Sequence, residues 1–591
     1  MTEVTQVHAA LATQTRLSLH YQVAMPQPQS HLFEVTLEIE GWEQSHLDLK
    51  MPVWTPGSYL VREYARHVQD FQVDHNLVWQ KVGKNHWQIQ TDGQSKLTLF
   101  YRVFANELTV RTNHLDTSHA FFNGAALFFY IPGFEQQPIR VTIVPPEQWQ
   151  VATTLPQVTG TDPTYESPDF DTLVDSPFEI GQHQLQTFEA LGVPHQWVVW
   201  GQGNADLARI VADTQRIIET EAAIFQGLPY DRYLFILHLT PNGYGGLEHK
   251  NSCALIYPRF GFQTDEGYHR FMQLVAHEFF HLWNVKRIRP KALEAFDYDA
   301  ENYTPSLWFS EGTTSYYDLL LPLRAGIYDA RIYLQNLSKE MTRFLTTPGR
   351  QVQTLSESSF DAWIKLYRRD NNSDNNQISY YLKGEMVSLL LDLLIRAKFD
   401  NQRSLDDVLR LLWQQFGQPE IGFTPEQLQQ VIETVADQDL SEFFRHCLHT
   451  TAELPFDQYL EPFGLKVVPD TTGQPPFLGL TLHSEQGREV VRFVEAGSPA
   501  QQAGIDPEDE LLAIDQFKVK ASQLNDRLKH YASGHTIAVT VFHQDELRTY
   551  SVTLGEPRPK AYQVVGVDAP SPRQAQRFQG WLGGALRELS S

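Results

Sequence analysis

Only two cysteines, Cys253 and Cys447, occur among 591 residues, so no disulfide framework holds this chain together. Two thiols cannot build a thiolate zinc cluster either, so any metal site must draw on His, Asp and Glu. Long apolar runs are missing as well. The longest candidate, VSLLLDLLIRAKF, carries Asp392 and falls far short of a bilayer crossing. The N-terminal stretch MTEVTQVHAALATQTRLSLHY lacks the basic patch and apolar core of a secretory signal. A cytoplasmic protein without a membrane span is therefore expected. Positive charge is scarce: 47 Lys and Arg stand against 71 Asp and Glu, a net charge of −24. Nucleic acid is not an expected partner, because phosphate contacts need clustered Lys and Arg.

At this length a single core is excluded and roughly three to five units are expected. Short alternating or aromatic-rich runs, among them LFEVTLEIEGW, HWQIQ and KLTLFYRVF, predict β-structure from about residue 15 to 190. From Asn204, a plausible N-cap, the spacing of Leu207, Ile210, Val211, Thr214, Ile217 and Ile218 predicts an amphipathic helix. The strand YLFILHL and a second at LEHKNSCALIY follow. Helices are expected over 265–286, most of 306–325, 380–398, 404–417 and 425–449, and strand signals return after Phe463.

The chemistry concentrates in FMQLVAHEFFHLWNVKRIRP. His277 and His281 stand at i and i+4, so both imidazoles can reach one ion from one helical face. Glu278 lies between them, placed to meet a water without being a ligand. Phe271, Leu274, Val275, Phe279 and Leu282 make the helix apolar. A catalytic zinc wants three protein ligands and one open position. Glu311, beside aromatic residues at the start of the next helix, is the better third ligand. Glu294, Asp297, Asp299 and Glu301 fall in what reads as a connecting loop.

Upstream, Gly245-Gly246-Leu247-Glu248-His249 reads as a strand edge where Gly245 and Gly246 let a substrate backbone approach and pair. Glu248 is expected to meet a free N-terminal ammonium, or else to be an exposed strand carboxylate. Downstream, Tyr380-Tyr381-Leu382-Lys383-Gly384 opens a long helix, and the Tyr381 phenol is a candidate donor to an oxyanion. Whether Lys286, Arg287 and Arg289 support the site or merely end a helix is left open by the sequence.

These residues resemble the gluzincin aminopeptidases, with HExxH, a downstream Glu ligand, Gly-x-Met-Glu-Asn and Tyr-x-Lys-Gly. Leu247 and His249 replace the Met and Asn of the third element. The common spacing of eighteen residues before the Glu ligand would reach Ala300, so this chain has a longer link. That link, the HEFFHLWNVKRIRP run and Trp54-Thr55-Pro56-Gly57-Ser58-Tyr59 are similar to the PDZ-containing glycyl aminopeptidases, metallopeptidase family sixty-one. The resemblance implies a multidomain α+β chain. Its expected parts are a β-sandwich-like domain at 1–190, a thermolysin-like zinc catalytic domain at 191–325 and a helical domain completing the site at 326–460. A PDZ-like domain at 461–556 and a tail at 557–591 follow. It also implies one zinc ion and removal of small N-terminal residues such as Gly or Ala from peptide substrates.

In the PDZ-like segment, Leu478, Gly479 and Leu480 resemble the loop whose amides face a peptide C-terminus. Glu508 and Gln516 stand where glycines are common, so looser turns are expected there. Three other readings stay open: a zinc endopeptidase with the same site, a related hydrolase of non-peptide substrates, and a PDZ-based scaffold with an inactive metal site.

Overall fold

The computed structural model describes residues 17–160 and 163–586; the expectation about the extreme N-terminus lies outside the described residues. The chain forms two compact units, Met1–Arg287 with Ala292–Asn302, and Ile288–Lys291 with Tyr303–Ser591.

In the first unit, alternation of apolar and polar residues builds half-buried strands. In Leu32–Glu40 the side chains of Phe33, Val35, Leu37 and Ile39 are fully buried, and the residues between them face outward. This strand lies inside a six-stranded sheet with Thr164–Ser167, Ile139–Val144, Ser18–Ala24, Lys96–Phe104 and Val68–Val73. A three-stranded sheet (His46–Lys50, His86–Gln90, Trp79–Gly83) shares its core, in which Phe71, Trp87, Tyr101 and Phe129 interlock edge to face.

The same unit holds a five-stranded mixed sheet in the order Gln184–Ala190, Val193–Trp200, Tyr233–Thr240, Ser252–Pro258, Gly245–Glu248. Tyr233–Thr240 is buried along its whole length and pairs in parallel on both sides. That explains its unbroken apolar sequence, since such strands are covered on both faces. The helix Leu207–Phe225 begins later than its spacing suggested: Asp206, not Asn204, is the N-cap, its carboxylate accepting the Arg209 amide at 3.2 Å.

The second unit is helical at first. A π-helical turn, Trp308–Thr313, runs into Thr314–Arg324, and Ala330–Thr346, Tyr380–Lys398, Leu405–Leu412, Pro425–Ala436 and Ser441–His449 follow. Six strands and two short α-helices then close a small β-domain around Val491, Leu511, Ile514, Val539, Val541 and Val552. The strands Leu465–Asp470 and Ala561–Gly566, which flank it in sequence, pair antiparallel. The segment beyond is structured too. Helix Pro572–Leu582 packs Trp581 against Tyr333 and Phe463.

Candidate functional site: a metal-binding helix beneath an edge strand

Thr264 caps the helix Asp265–Phe280 by accepting the Gly267 amide at 3.1 Å, and Asp265 and Glu266 complement the positive end of the helix dipole. Phe271, Met272, Val275, Ala276 and Phe279 anchor one face in the core, which leaves His277 and His281 to emerge together. Their Nε2 atoms lie 3.0 Å apart. Two nitrogens each about 2.0–2.1 Å from one tetrahedral ion would be roughly 3.3 Å apart. His281 Nδ1 sits 2.8 Å from the Asn284 carbonyl oxygen, which can only accept, so Nδ1 carries the proton and Nε2 presents its lone pair. The pair therefore fits a zinc-class cation. Glu221, fully buried on the neighbouring helix, feels the charge of His277, and burial drives its carboxyl well above the usual range. Nothing in the local sequence marked it.

Glu278 is buried between the histidines. Burial pushes its carboxyl up to about 7, against the pull of His277 and His281, with Glu248 adding to the rise and Arg111 opposing it. A general base poised near neutrality suits proton transfer at physiological pH. Gly246 makes this position possible, because a Cβ there would overlap the Glu278 carboxyl. Among the described residues the strand Gly245–Glu248 pairs with Ser252–Pro258 alone and forms the edge of its sheet, directly over the Glu278 carboxyl. Arg111 Nη2 donates to the Gly246 carbonyl at 2.9 Å, a contact across a sequence separation no motif could reveal.

Glu248 is not the exposed strand carboxylate that was one of its two readings: it is 4% exposed, and its Oε1 has no hydrogen-bond partner. The turn Trp54–Tyr59 lies against it. Gly57, at φ +88, is required there, since a Cβ would stand 2.5 Å from Glu248 Oε1. Lys286 and Arg287, which follow the helix, are structural. Lys286 is buried and pairs with Asp175 at 2.6 Å, and Asp175 also takes the Lys250 amide at 2.7 Å and faces His249 Nδ1 at 3.1 Å. Arg287 donates to the carbonyls of Lys250, Leu282 and Pro229. Two loop carboxylates set aside as ligands are engaged elsewhere: Asp299 accepts from Asn85 and Tyr130 and pairs with Lys50, and Asp297 holds the Asp299 amide.

In the second unit Glu311 lies in the π-helical turn and is 2% exposed. The turn crosses helix Tyr380–Lys398 at a glycine pair, where a Cβ on Gly384 would come within 2.6 Å of the Trp308 carbonyl oxygen. Close backbone contact brings the charge of Glu311 to bear on Tyr381. Burial first, and that charge second, raise the phenol well above its ordinary range, so it stays protonated and able to donate. Its hydroxyl is 3.0 Å from that of Tyr367, a neighbour not singled out in the sequence. Lys383 points away, to the Thr450 carbonyl at 3.3 Å.

In the small β-domain, Phe477–Leu480 borders a groove lined also by Phe493, Leu524 and Leu528, along the edge strand Leu480–Glu485. Gly479, at φ +83, is needed because a Cβ would overlap Ser498. The looser turns expected at Glu508 and Gln516 are not found. Both residues adopt left-handed backbone, at φ +74 and +71, and the turns stay tight without glycine.

A helix carrying HExxH under the edge strand of a mixed sheet, with a β-domain before it and a helical region after it, defines a thermolysin-like metallopeptidase. Comparison with protein families sharpens this. Residues 20–182 match the peptidase M61 N-terminal domain, 270–387 the M61 glycyl aminopeptidase and 476–554 a PDZ domain. A crystal structure described as an aminopeptidase N family protein from Idiomarina loihiensis is 31% identical, with a TM-score of 0.90, over 95% of this chain and all of that one. The chain belongs to the M61 glycyl aminopeptidase family and is a metallo-aminopeptidase, a hydrolase of peptide bonds. An M1 zinc metallopeptidase from Deinococcus radiodurans is 15% identical, with a TM-score of 0.47, over 75% of this chain and 95% of that one. Yeast LTA4 hydrolase in complex with bestatin is 12% identical, with a TM-score of 0.45, over 77% and 72%. No curated protein matches the chain. Among the described residues no helix is long and apolar enough to cross a membrane.

Proposed function

We propose that this protein is a zinc-dependent aminopeptidase that removes small N-terminal residues, Gly or Ala, from peptides. One zinc per chain is held by His277, His281 and Glu311, two imidazoles and a carboxylate of the kind a catalytic zinc takes. The observation that carries the reading is the pair of imidazole nitrogens 3.0 Å apart beside a buried carboxylate capped by an edge strand. When bound, zinc supplies Lewis acidity for the scissile carbonyl and lowers the pKa of the attacking water. Glu278 takes the proton of that water and returns it to the departing amine nitrogen. Tyr381 donates a hydrogen bond to the oxygen on which negative charge develops, worth on the order of 100- to 1000-fold in turnover. Gly245 and Gly246 leave room for the substrate backbone, and the unpartnered Glu248 oxygen receives its ammonium. The groove along Leu478–Leu480 takes peptide C-termini. The working division of the chain is at residues 190, 325, 460 and 556, and the setting is cytoplasmic, where the two buried free thiols stay reduced.

The test is turnover of Gly, Ala, Leu and Arg amides beside their N-acetylated forms. Fastest turnover of the free-amine Gly and Ala compounds is expected, with E278Q retaining zinc and losing activity. Equal turnover of acetylated substrates would make the protein an endopeptidase, and an active E278Q would remove the assigned base.

A further inference from the structure

A second group of buried donors lies within the first unit, away from the HExxH helix. The strands His114–Leu115, His119–Phe122, Phe178–Gly181 and Gln150–Ala152 form a small antiparallel sheet. In its register Phe121 is opposite both His114 and Glu179, and His119 is opposite Gly181. Because strand side chains alternate between faces, His114, His119, Phe121 and Glu179 all share one face. His238, in the strand Tyr233–Thr240, is paired with Trp200 and shares a face with it. Trp200 stacks on His119 with ring centroids 3.7 Å apart, and the His238 and His119 rings are 5.6 Å apart, so the two faces meet at these residues. Gly181 makes the space: a Cβ there would stand 2.8 Å from His119 Cβ.

His119, Glu179 and His238 are all 0% exposed. Glu179 Oε2 lies 2.8 Å from His238 Nε2, yet Glu179 Oε1, His238 Nδ1 and both His119 nitrogens have no hydrogen-bond partner. Buried polar atoms are nearly always paired, and an ion is one of the few things that accounts for several unpaired ones together. A simple His–Glu hydrogen bond explains only Oε2 and Nε2 and leaves His119 without a reason to be there. One donor atom from each of His119, Glu179 and His238 lies within 4.8 Å of the other two, and the same holds for His114, Asp116 and His119. Asp116 Oδ1 accepts the His119 backbone amide at 3.1 Å, which holds the start of this strand without engaging either ring nitrogen of His119.

We propose that His119, Glu179 and His238 hold a second, structural divalent ion of the zinc class. Two imidazoles and a carboxylate are the donors such an ion prefers. The site is closed to solvent and uses strands of two different sheets, so the ion fastens the small antiparallel sheet to Tyr233–Thr240, the central strand of the five-stranded sheet, rather than taking part in hydrolysis.

The experiment is the zinc content of the purified full-length chain, by elemental analysis after exchange into zinc-containing and then zinc-free buffer. Two ions per chain are expected in the unaltered protein, one in H277A/H281A, and one in each of H119A and E179Q. E179Q keeps the side-chain volume and so serves where H119A does not fold. A single ion that disappears in H277A/H281A would overturn the second site and leave the catalytic reading standing. A single ion that survives H277A/H281A but is lost from E179Q would support the second site and remove the proposed catalytic ligands. Two ions retained in both H119A and E179Q would overturn it.

Discussion

At the scale of single residues, buried charge does most of the positioning. Burial by itself would raise the Asp175 carboxyl, but the Lys286 ammonium and His249 outweigh it and hold it well below the usual carboxylate range. With its folded pKa below the unfolded value of about 3.9, Asp175 stabilises the fold above that pH, and the contribution is lost as pH falls toward the folded pKa. D175N leaves Lys286 buried without its partner, and a loss of about 3–5 kcal/mol at pH 7 is expected. Denaturant midpoints at pH 7 and pH 3 check this: the gap between the two proteins should narrow at the lower pH. The pairing of His277 with His281 was legible in the sequence, since HExxH is local to one helix. Arg111, Glu221 and Tyr367 were not legible, because each acts on the site through space from a segment with no pattern of its own.

At the scale of elements, glycines set the distances. Gly246 brings an edge strand onto the Glu278 carboxyl, and Gly312 with Gly384 lets the π-helical turn touch the long helix, so that Glu311 and Tyr381 act on one another. These were visible in the sequence only as motif letters; the need for a missing Cβ is a property of two backbones meeting. G246A is expected to lower kcat/KM by about 100-fold, the cost of displacing a catalytic group by about 1 Å, with little change in Tm because the strand lies at a sheet edge. Steady-state kinetics beside a thermal melt separates the two effects, and a G246A protein with unchanged kcat/KM would show that the close approach is not needed. Tyr380–Lys398 matches the span expected for it, but the helix expected over 265–286 ends at Phe280, the one over 425–449 is two helices, and the cap at Asp206 was missed by two positions. Asparagine and aspartate cap equally well, so composition does not choose between them.

At the scale of the whole molecule, a peptidase and a PDZ domain share one chain. Asn375, in the helical region of the second unit, donates to the Val494 carbonyl at 2.9 Å and accepts the Ala496 amide at 2.8 Å, so the PDZ domain is pinned by its own unit, and among the described residues the outer side of its edge strand Leu480–Glu485 has no strand partner. A peptide with a free C-terminal carboxylate is therefore expected to bind at least ten-fold more tightly than its amide, as read by fluorescence anisotropy; equal binding would mean that the loop at Leu478–Leu480 does not read carboxylates. The sequence by itself determined the chemistry: which side chains bear lone pairs, their spacing on one helix, and the order of sheet, helix and PDZ-like segments. Those follow from local periodicity and residue type. Tertiary structure alone decided that Glu248 is buried, that Lys286 is a brace, and that His119, Glu179 and His238, distant in sequence and drawn from two sheets, meet out of reach of solvent. Such outcomes depend on strand register and on what packs opposite, and neither is written in any single stretch of chain.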